Sequence, residues 1–141
     1  MLADMSYAGD VTPSDAYAAL AQDPDAVLVD VRTDAEWGYV GLPDLSSIGK
    51  RVVTVEWQRF PDGARNESFL DQLHAAGVGP GTPVYLLCRS GVRSASAAAL
   101  MTDRGLGPAY NISDGFEGPL DADGHRAVAG WKSDGLPWRQ G

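Results

Sequence analysis

Cysteine is nearly absent from this sequence, which contains Cys88 as its single example among 141 residues. One cysteine can neither close an internal disulfide nor build a multi-cysteine zinc site. The stability of the fold must therefore come from a packed apolar core, and a chain of this length is long enough to bury one. We expect residues 1–141 to form a single domain.

Positive charge and long apolar runs are also scarce. The chain has 11 Lys and Arg against 19 Asp and Glu, a formal net charge of -8, which disfavours nucleic acid and anionic membranes as partners. No segment approaches the roughly 18 consecutive apolar residues of a membrane span. Residues 1–10 lack the basic stretch and following apolar stretch of a signal peptide. We therefore expect a cytoplasmic protein with no membrane or nucleic-acid partner.

Short apolar runs alternate with helix-forming segments along the chain. Strands are predicted at 26–31, 52–57, 82–88 and 108–112, and helices at 12–21, 66–76 and 94–104. Residues 38–51 are rich in Gly, Pro and Ser and are predicted to form a loop. Strands that alternate with helices indicate an α/β fold with a central, mostly parallel sheet and helices on both faces.

The segment that carries chemistry follows the predicted strand at 82–88. The strand ends at Cys88, and the next helix begins about six residues later, so backbone N–H groups are directed into a small bowl. Gly91 allows backbone angles that a side chain would forbid. Ser94 is predicted to cap the helix, and Arg89 and Arg93 add positive charge at its N-terminus.

These surroundings favour a reactive role for Cys88 over that of a small buried apolar residue. Cationic neighbours and a helix N-terminus favour the thiolate, which is the nucleophilic form of cysteine. A structural cysteine needs neither two arginines nor a glycine loop. We therefore predict Cys88 as the catalytic residue. The predicted substrate-binding residues are Arg89, Ser90, Gly91, Val92, Arg93 and Ser94.

The spacing within this loop indicates the size of the reacting group. Four residues separate Cys88 from Arg93, whereas phosphatases that use a cysteine nucleophile have five residues in the equivalent interval. The tighter loop favours a small centre such as a single sulfur atom over a tetrahedral phosphate. A small cysteine phosphatase is the less favoured alternative because of this spacing. An arsenate reductase is also less favoured, because a lone cysteine leaves no internal resolving thiol.

Three segments of the sequence, in the expected order, resemble those of a rhodanese domain. They are Asp30-Val31-Arg32 with Glu36-Trp37, Cys88-Arg89-Ser90-Gly91-Val92-Arg93-Ser94, and Trp131 with Gly135-Leu136-Pro137. The second is very close to the active-site loop of bacterial thiosulfate sulfurtransferases. Together the segments bracket nearly the whole chain, so the resemblance implies a single rhodanese-like domain whose core spans about 10–138.

The resemblance also implies a sulfur-transfer mechanism. Cys88 would attack the outer sulfur of thiosulfate or of a persulfide donor and keep it as a Cys88 persulfide. A thiol, cyanide or a sulfur-relay protein would then accept the sulfur in a second half-reaction. This chemistry requires no metal ion and no organic cofactor. A non-catalytic or redox-sensing rhodanese-like binding module is the alternative, since redox sensing would also retain a reactive thiol.

Asp30 and Arg32 are predicted to support the site. They lie at the carboxyl end of the first buried strand, where α/β folds place their sites. We interpret them as an ion pair that braces the loop, in preference to direct contact with substrate.

The sequence departs from the family at three places. Glu36 stands where two-domain members that use thiosulfate carry a second basic residue. The segment Val40-Gly41-Leu42-Pro43 lacks the histidine that the family commonly has. The segment 117–128 is longer than the one that family members have at this place. The resemblance therefore implies the Cys88 persulfide without fixing thiosulfate as its source.

Overall fold

The framework of the protein is a five-stranded parallel sheet, seen in a computed structural model that describes residues 7–59, 62–118 and 129–140. The strands are β1 (Gly9–Val11), β2 (Val27–Asp30), β3 (Leu42–Pro43), β4 (Val53–Thr54), β5 (Pro80–Leu87), β6 (Gly107–Ile112) and β7 (Trp138–Arg139). The sheet order is β1-β6-β5-β2-β4, and β3 pairs with β7 in a separate antiparallel ribbon. The predicted α/β fold with a parallel central sheet is confirmed.

Helices cover both faces of this sheet. They are α1 (Pro13–Gln22), α2 (Asp34–Tyr39), α3 (Phe69–Ala75) and α4 (Val92–Asp103), with a short 3-10 helix at Ser46–Ile48. Alternate residues of the central strands point to opposite faces. Leu86 packs in one core with Leu73 of α3 and Met101 of α4, whereas Leu87 packs in the other with Leu20 of α1. The central strands are therefore buried on both faces, as their apolar runs indicated.

Several element boundaries differ from those predicted. The strand assigned to 52–57 is shorter, but the N–H groups of Val55 and Trp57 still donate to the carbonyls of Asp30 and Val31. Helix α3 begins later than predicted, because the side chain of Asn66 is engaged with the carbonyl of Glu56 instead of a helical turn. Tertiary hydrogen bonds decide both boundaries.

The sequence interpretation missed β1, α2, the 3-10 helix and the ribbon formed by β3 and β7. Strand β1 is short and pairs only with β6 at the sheet edge. Helix α2 overlaps the predicted loop at 38–51, which also contains β3 and the 3-10 helix. A sequence signal for α2 was available, because Thr33 and Glu36 form a reciprocal capping box at its first turn. Of the longer segment predicted at 117–128, residues 119–128 lie outside the described residues.

No helix in the described ranges is long and apolar enough to cross a membrane.

A buried ion pair fixes the chain just after β2. The Arg32 guanidinium donates to both carboxylate oxygens of Asp30, at 2.7 Å for the shortest contact, and to the Gly41 carbonyl oxygen at 2.7 Å. Its Cζ lies 4.3 Å from the centre of the Phe116 ring. Both charged side chains are fully buried, which fits the predicted bracing role better than contact with substrate.

Replacing Arg32 with alanine is expected to lower the free energy of unfolding by about 3–5 kcal/mol, because the Asp30 carboxylate would remain buried without its partner. The control is Arg104→Ala. Arg104 pairs with Asp103 at 3.5 Å on the surface, and its loss should cost about 0–1 kcal/mol. Urea denaturation of both variants provides the measurement. Equal stability losses would contradict a bracing role for Arg32.

Candidate active site

Cys88 lies at the point where β5 ends and the chain turns into α4. Its thiol is buried, with 1% of the residue exposed. The Gly91 N–H donates to Cys88 Sγ at 3.1 Å, and Ser94 Oγ lies 3.2 Å from the same sulfur. Hydrogen-bond donors that converge on one atom stabilise negative charge there. The Gly91 N–H and the Ser94 hydroxyl are thus placed to stabilise negative charge on the sulfur.

Backbone bonds from the segment after β6 hold this loop in shape. The Phe116 N–H donates to the Cys88 carbonyl oxygen at 2.8 Å, and the Glu117 N–H donates to that of Arg89 at 3.0 Å. Gly115 lies so close to the loop that an added Cβ would be 2.5 Å from the Arg89 carbonyl oxygen. The two segments therefore form one packed unit, and the conformation of the loop depends on both.

The turn itself requires glycine at position 91. Gly91 is the N-cap of α4 and has a φ of 103°, a value that residues with a Cβ rarely adopt. A Cβ on Gly91 would also collide with the backbone carbonyl oxygen of Ser113. The prediction that Ser94 caps the helix is wrong, because α4 begins at Val92. Ser94 instead lies fully buried inside the first turn, against the sulfur.

Arg93, from the first turn of α4, forms a bidentate pair with Glu36 of α2. Its Nη1 and Nη2 donate to Glu36 Oε1 and Oε2 at 2.7 and 2.9 Å, and about a fifth of each side chain is exposed. Burial alone would raise the pKa of Glu36, but the hydrogen bonds and charge of Arg93 outweigh it, so this pKa lies below its ordinary value. The pKa of Arg93 is raised, first by its hydrogen bonds to Glu36 and then by the negative charge of that carboxylate.

Arg89 is paired as well, with its Nε 3.1 Å from Glu117 Oε2. The sequence predicted that both arginines add positive charge at the start of α4, and in the structure each guanidinium faces a carboxylate. Of the other predicted binding residues, Ser90 is partly buried and Val92 is 73% exposed.

An open cleft of about 510 Å³ lies next to these ion pairs. Its walls include Ala35 and Tyr39 of α2 and the paired Arg89 and Arg93. Arg59 also lines it and donates through Nη2 to the amide oxygen of Asn66 at 3.2 Å. Among the described residues, no carboxylate lies within ion-pair distance of Arg59. Sequence reasoning missed this cation, because nothing in the local sequence connects position 59 with the Cys88 loop.

A second group missed by sequence reasoning lies behind the sulfur. Ser94 Oγ is 2.5 Å from Asn111 Oδ1, and Asn111 Nδ2 donates to Asp10 Oδ1 at 2.9 Å. Asp10 belongs to β1 and Asn111 to β6, and the strand register places them side by side. No sequence motif marks either residue, because their proximity arises from strand pairing across about a hundred positions.

The described residues contain no group of three or more His, Cys, Asp or Glu side chains that could hold a metal ion.

Comparison with known proteins adds family context to this geometry. The model of the STR4 middle domain matches residues 8–141. An uncharacterized protein of Rickettsia conorii is 40% identical over 126 residues, which cover 88% of this chain and 91% of that protein. The chloroplastic rhodanese-like domain-containing protein 4 of Arabidopsis thaliana is 32% identical over 87% of this chain, which spans 24% of the plant protein.

Two solved structures share the fold. Rv0390 from M. tuberculosis is 56% identical, with a TM-score of 0.88 over 96% of this chain and all of that one. The polysulfide-sulfur transferase of Wolinella succinogenes is 26% identical, with a TM-score of 0.65 over 99% of this chain and 81% of that one. The fold, the Cys88 loop and the similarity to these proteins together define a rhodanese-like protein. Within that class, the chain belongs to the STR4 middle-domain family.

Gly91→Ala is expected to disrupt the loop, because the added methyl group combines a strained φ with a collision against the Ser113 carbonyl. Gly49→Ala is the matched control, since Gly49 has a φ of 71° with open space around its Cβ position. The strained φ costs about 1–2 kcal/mol in both variants, and only Gly91→Ala should lose more. Urea denaturation, together with the rate at which Cys88 is alkylated, separates the two. Indistinguishable behaviour would contradict the packing described for this loop.

Proposed function

We propose that this protein is a sulfurtransferase that carries a sulfane sulfur as a persulfide on Cys88. The observation that carries the proposal is the pair of groups beside Cys88 Sγ at the start of α4. The Gly91 nitrogen lies 3.1 Å and the Ser94 hydroxyl oxygen 3.2 Å from this sulfur. These groups would stabilise a charged sulfur in the way that an oxyanion hole stabilises a charged oxygen. Membership of a rhodanese-like family supports the same chemistry.

The proposed reaction has two half-reactions. The Cys88 thiolate attacks the outer sulfur of the donor, a new S–S bond forms at Sγ, and the donor's S–S bond breaks with its electron pair leaving on sulfite or on the donor thiolate. An acceptor thiolate or cyanide then attacks the terminal sulfur of the persulfide. That step forms the product persulfide or thiocyanate and returns the Cys88 thiolate, so ping-pong kinetics are expected.

The cleft lined by the loop arginines and Arg59 suits an anionic sulfur donor of modest size. Arg59 supplies a positive charge without a described carboxylate partner, whereas Arg89 and Arg93 are held by Glu117 and Glu36. The donor would enter beside Arg59 and reach the sulfur between the two pairs. Thiosulfate and organic persulfides both fit this description. Polysulfide is a further candidate, because the Wolinella succinogenes relative is named as a polysulfide-sulfur transferase.

Cyanide, a small thiol and a sulfur-relay protein are the proposed acceptors, and we place the reaction in the cytoplasm. A phosphatase would need a guanidinium available to the phosphate, and both loop arginines are already engaged. Turnover of an aryl phosphate that disappears in Cys88→Ser would replace the sulfurtransferase proposal with this alternative.

Incubation with thiosulfate or with glutathione persulfide is expected to add the mass of one sulfur atom to the intact protein. Cys88→Ser should give no adduct, because position 88 holds the only cysteine of the chain. Addition of cyanide should then remove the extra mass and release thiocyanate. Intact-mass spectrometry before and after cyanide is the measurement. Failure of the wild-type protein to gain sulfur from any donor, or an adduct that persists in Cys88→Ser, would exclude the proposal.

Glu36→Gln is expected to raise kcat/KM for thiosulfate by about threefold to tenfold, because it frees the Arg93 charge for the dianion. Glutamine can still serve in the capping box with Thr33, so α2 should remain folded. The gain should shrink as salt is added, since salt screens the charge. The control is Glu67→Gln, which removes an exposed carboxylate. If both variants changed kcat/KM equally, Glu36 would have no specific effect on donor binding.

A further inference from the structure

The hydrogen bonds behind Cys88 have a direction that the chemistry of the groups determines. A carboxylate only accepts hydrogen bonds, so Asp10 must accept from the amide nitrogen of Asn111 at 2.9 Å. Asp10 also accepts from the Tyr7 hydroxyl at 2.7 Å. This hydrogen bond, followed by burial, holds the pKa of Tyr7 above its usual value, so Tyr7 remains a donor at neutral pH. The Asn111 amide is therefore oriented with its oxygen toward Ser94.

The orientation of the Asn111 amide in turn determines the direction of its hydrogen bond with the Ser94 hydroxyl. Asn111 Oδ1 carries no hydrogen, so the contact of 2.5 Å between it and Ser94 Oγ requires the hydroxyl to donate. Ser94 has one hydroxyl hydrogen and two neighbours that can accept it, Asn111 Oδ1 and Cys88 Sγ. While the hydrogen points to Asn111, Ser94 presents a lone pair to the sulfur and donates no hydrogen bond to it.

A charged sulfur requires the opposite arrangement. When Cys88 loses its proton to a solvent base, the sulfur becomes an acceptor, and the Ser94 hydroxyl must turn from Asn111 Oδ1 to Sγ. Ser94 is fully buried and Asn111 is 4% exposed, so water cannot readily replace the lost bond to the amide oxygen. An unsatisfied buried acceptor is unfavourable. Asn111 therefore favours the protonated thiol, and Ser94 favours the charged sulfur.

We propose that Asn111, oriented by Asp10, is a positioning residue that competes with Cys88 for the single hydroxyl hydrogen of Ser94. The competition sets how readily the thiol ionises and how strongly the persulfide is held. Its effect on sulfur transfer rests on the function proposed above, whereas its effect on the thiol can be measured without any sulfur donor. Asp10, Asn111 and Ser94 form a chain of hydrogen bonds, the Ser94 relay, that runs from the sheet edge to the sulfur. Within it, Asn111 acts on Cys88 only through Ser94.

Three ion pairs balance the charges of the Cys88 loop and of the chain after β2, and Arg59, which lines the cleft, donates to Asn66. The pairs are Arg93 of α4 with Glu36 of α2, Arg89 of the loop with Glu117 after β6, and Arg32 with Asp30 after β2. None of these pairs contacts Asn111 through a described hydrogen bond or ion pair. Substitution of Asn111 therefore changes the Ser94 relay while leaving the charged surroundings of the sulfur in place.

The test is the pH profile of Cys88 alkylation by iodoacetamide in the full-length protein. Asn111→Leu retains the approximate shape of asparagine and removes the acceptor, so the midpoint is expected to fall by about one pH unit, a tenfold gain in thiolate below the midpoint. Ser94→Ala removes the donor and should raise the midpoint. Ser96→Ala, on the same helix but bonded to the Val92 carbonyl oxygen, should leave the midpoint unchanged.

The double variant Ser94→Ala/Asn111→Leu separates a relay from a general effect on the site. Its midpoint should equal that of Ser94→Ala alone, because Asn111 has no other route to the sulfur. A downward shift that persists without the Ser94 hydroxyl would refute the proposal, as would an Asn111→Leu midpoint that stays in place or rises.

If Asn111→Leu does not fold, Asp10→Asn provides the same information from an exposed position. Asparagine at position 10 can accept or donate, so it no longer fixes the Asn111 amide, and the midpoint should fall in the presence of Ser94. The same substitution in the Ser94→Ala background measures the effect of the lost charge alone. Equal shifts in the two backgrounds would overturn the proposal. A shifted midpoint in a protein that gains no sulfur would leave the relay intact and remove the sulfurtransferase assignment.

Discussion

The parallel pairing of β5 with β2 on one side and with β6 on the other is the constraint on which the site depends. The register aligns Asp30 with Leu87 and Leu86 with Asn111, so the ends of all three strands meet at one edge of the sheet. Parallel strands present their carboxyl ends together, and α/β folds build their sites there. Cys88 follows the central strand directly, so it lies between the end of β2, which carries Asp30, and the end of β6, which carries Asn111.

The charges at this edge are arranged in pairs. Glu36 and Glu117 hold the two arginines of the loop, and the guanidinium of Arg32 is held by Asp30. The immediate stabilisation of the sulfur thus falls to short-range donors, the Gly91 N–H and the Ser94 hydroxyl. Such donors are preorganised by the turn and act inside a buried site, where each hydrogen bond is stronger than in water.

Local sequence was informative where the physics is local. The apolar runs located the buried strands, and Gly91 marked a turn whose φ of 103° other residues rarely adopt. The sequence interpretation failed where a contact with a residue distant in the chain determines the role of a side chain. Ser94 looked like a helix cap, yet the strand register places Asn111 beside it and the helix begins two residues earlier. The capping box of α2 was a local signal that the composition of the following segment obscured.

The sequence by itself determined the α/β class, the position of Cys88 between a strand and a helix, and the rhodanese-like character of its loop. These follow from hydrophobic periodicity and from residues adjacent in the chain. Only the tertiary structure decided that Glu36 and Glu117 neutralise the loop arginines, that Arg59 lines the cleft, and that Asp10 and Asn111 stand behind the sulfur. Those contacts join residues far apart in sequence, and strand pairing and helix packing, which no local pattern encodes, bring them together.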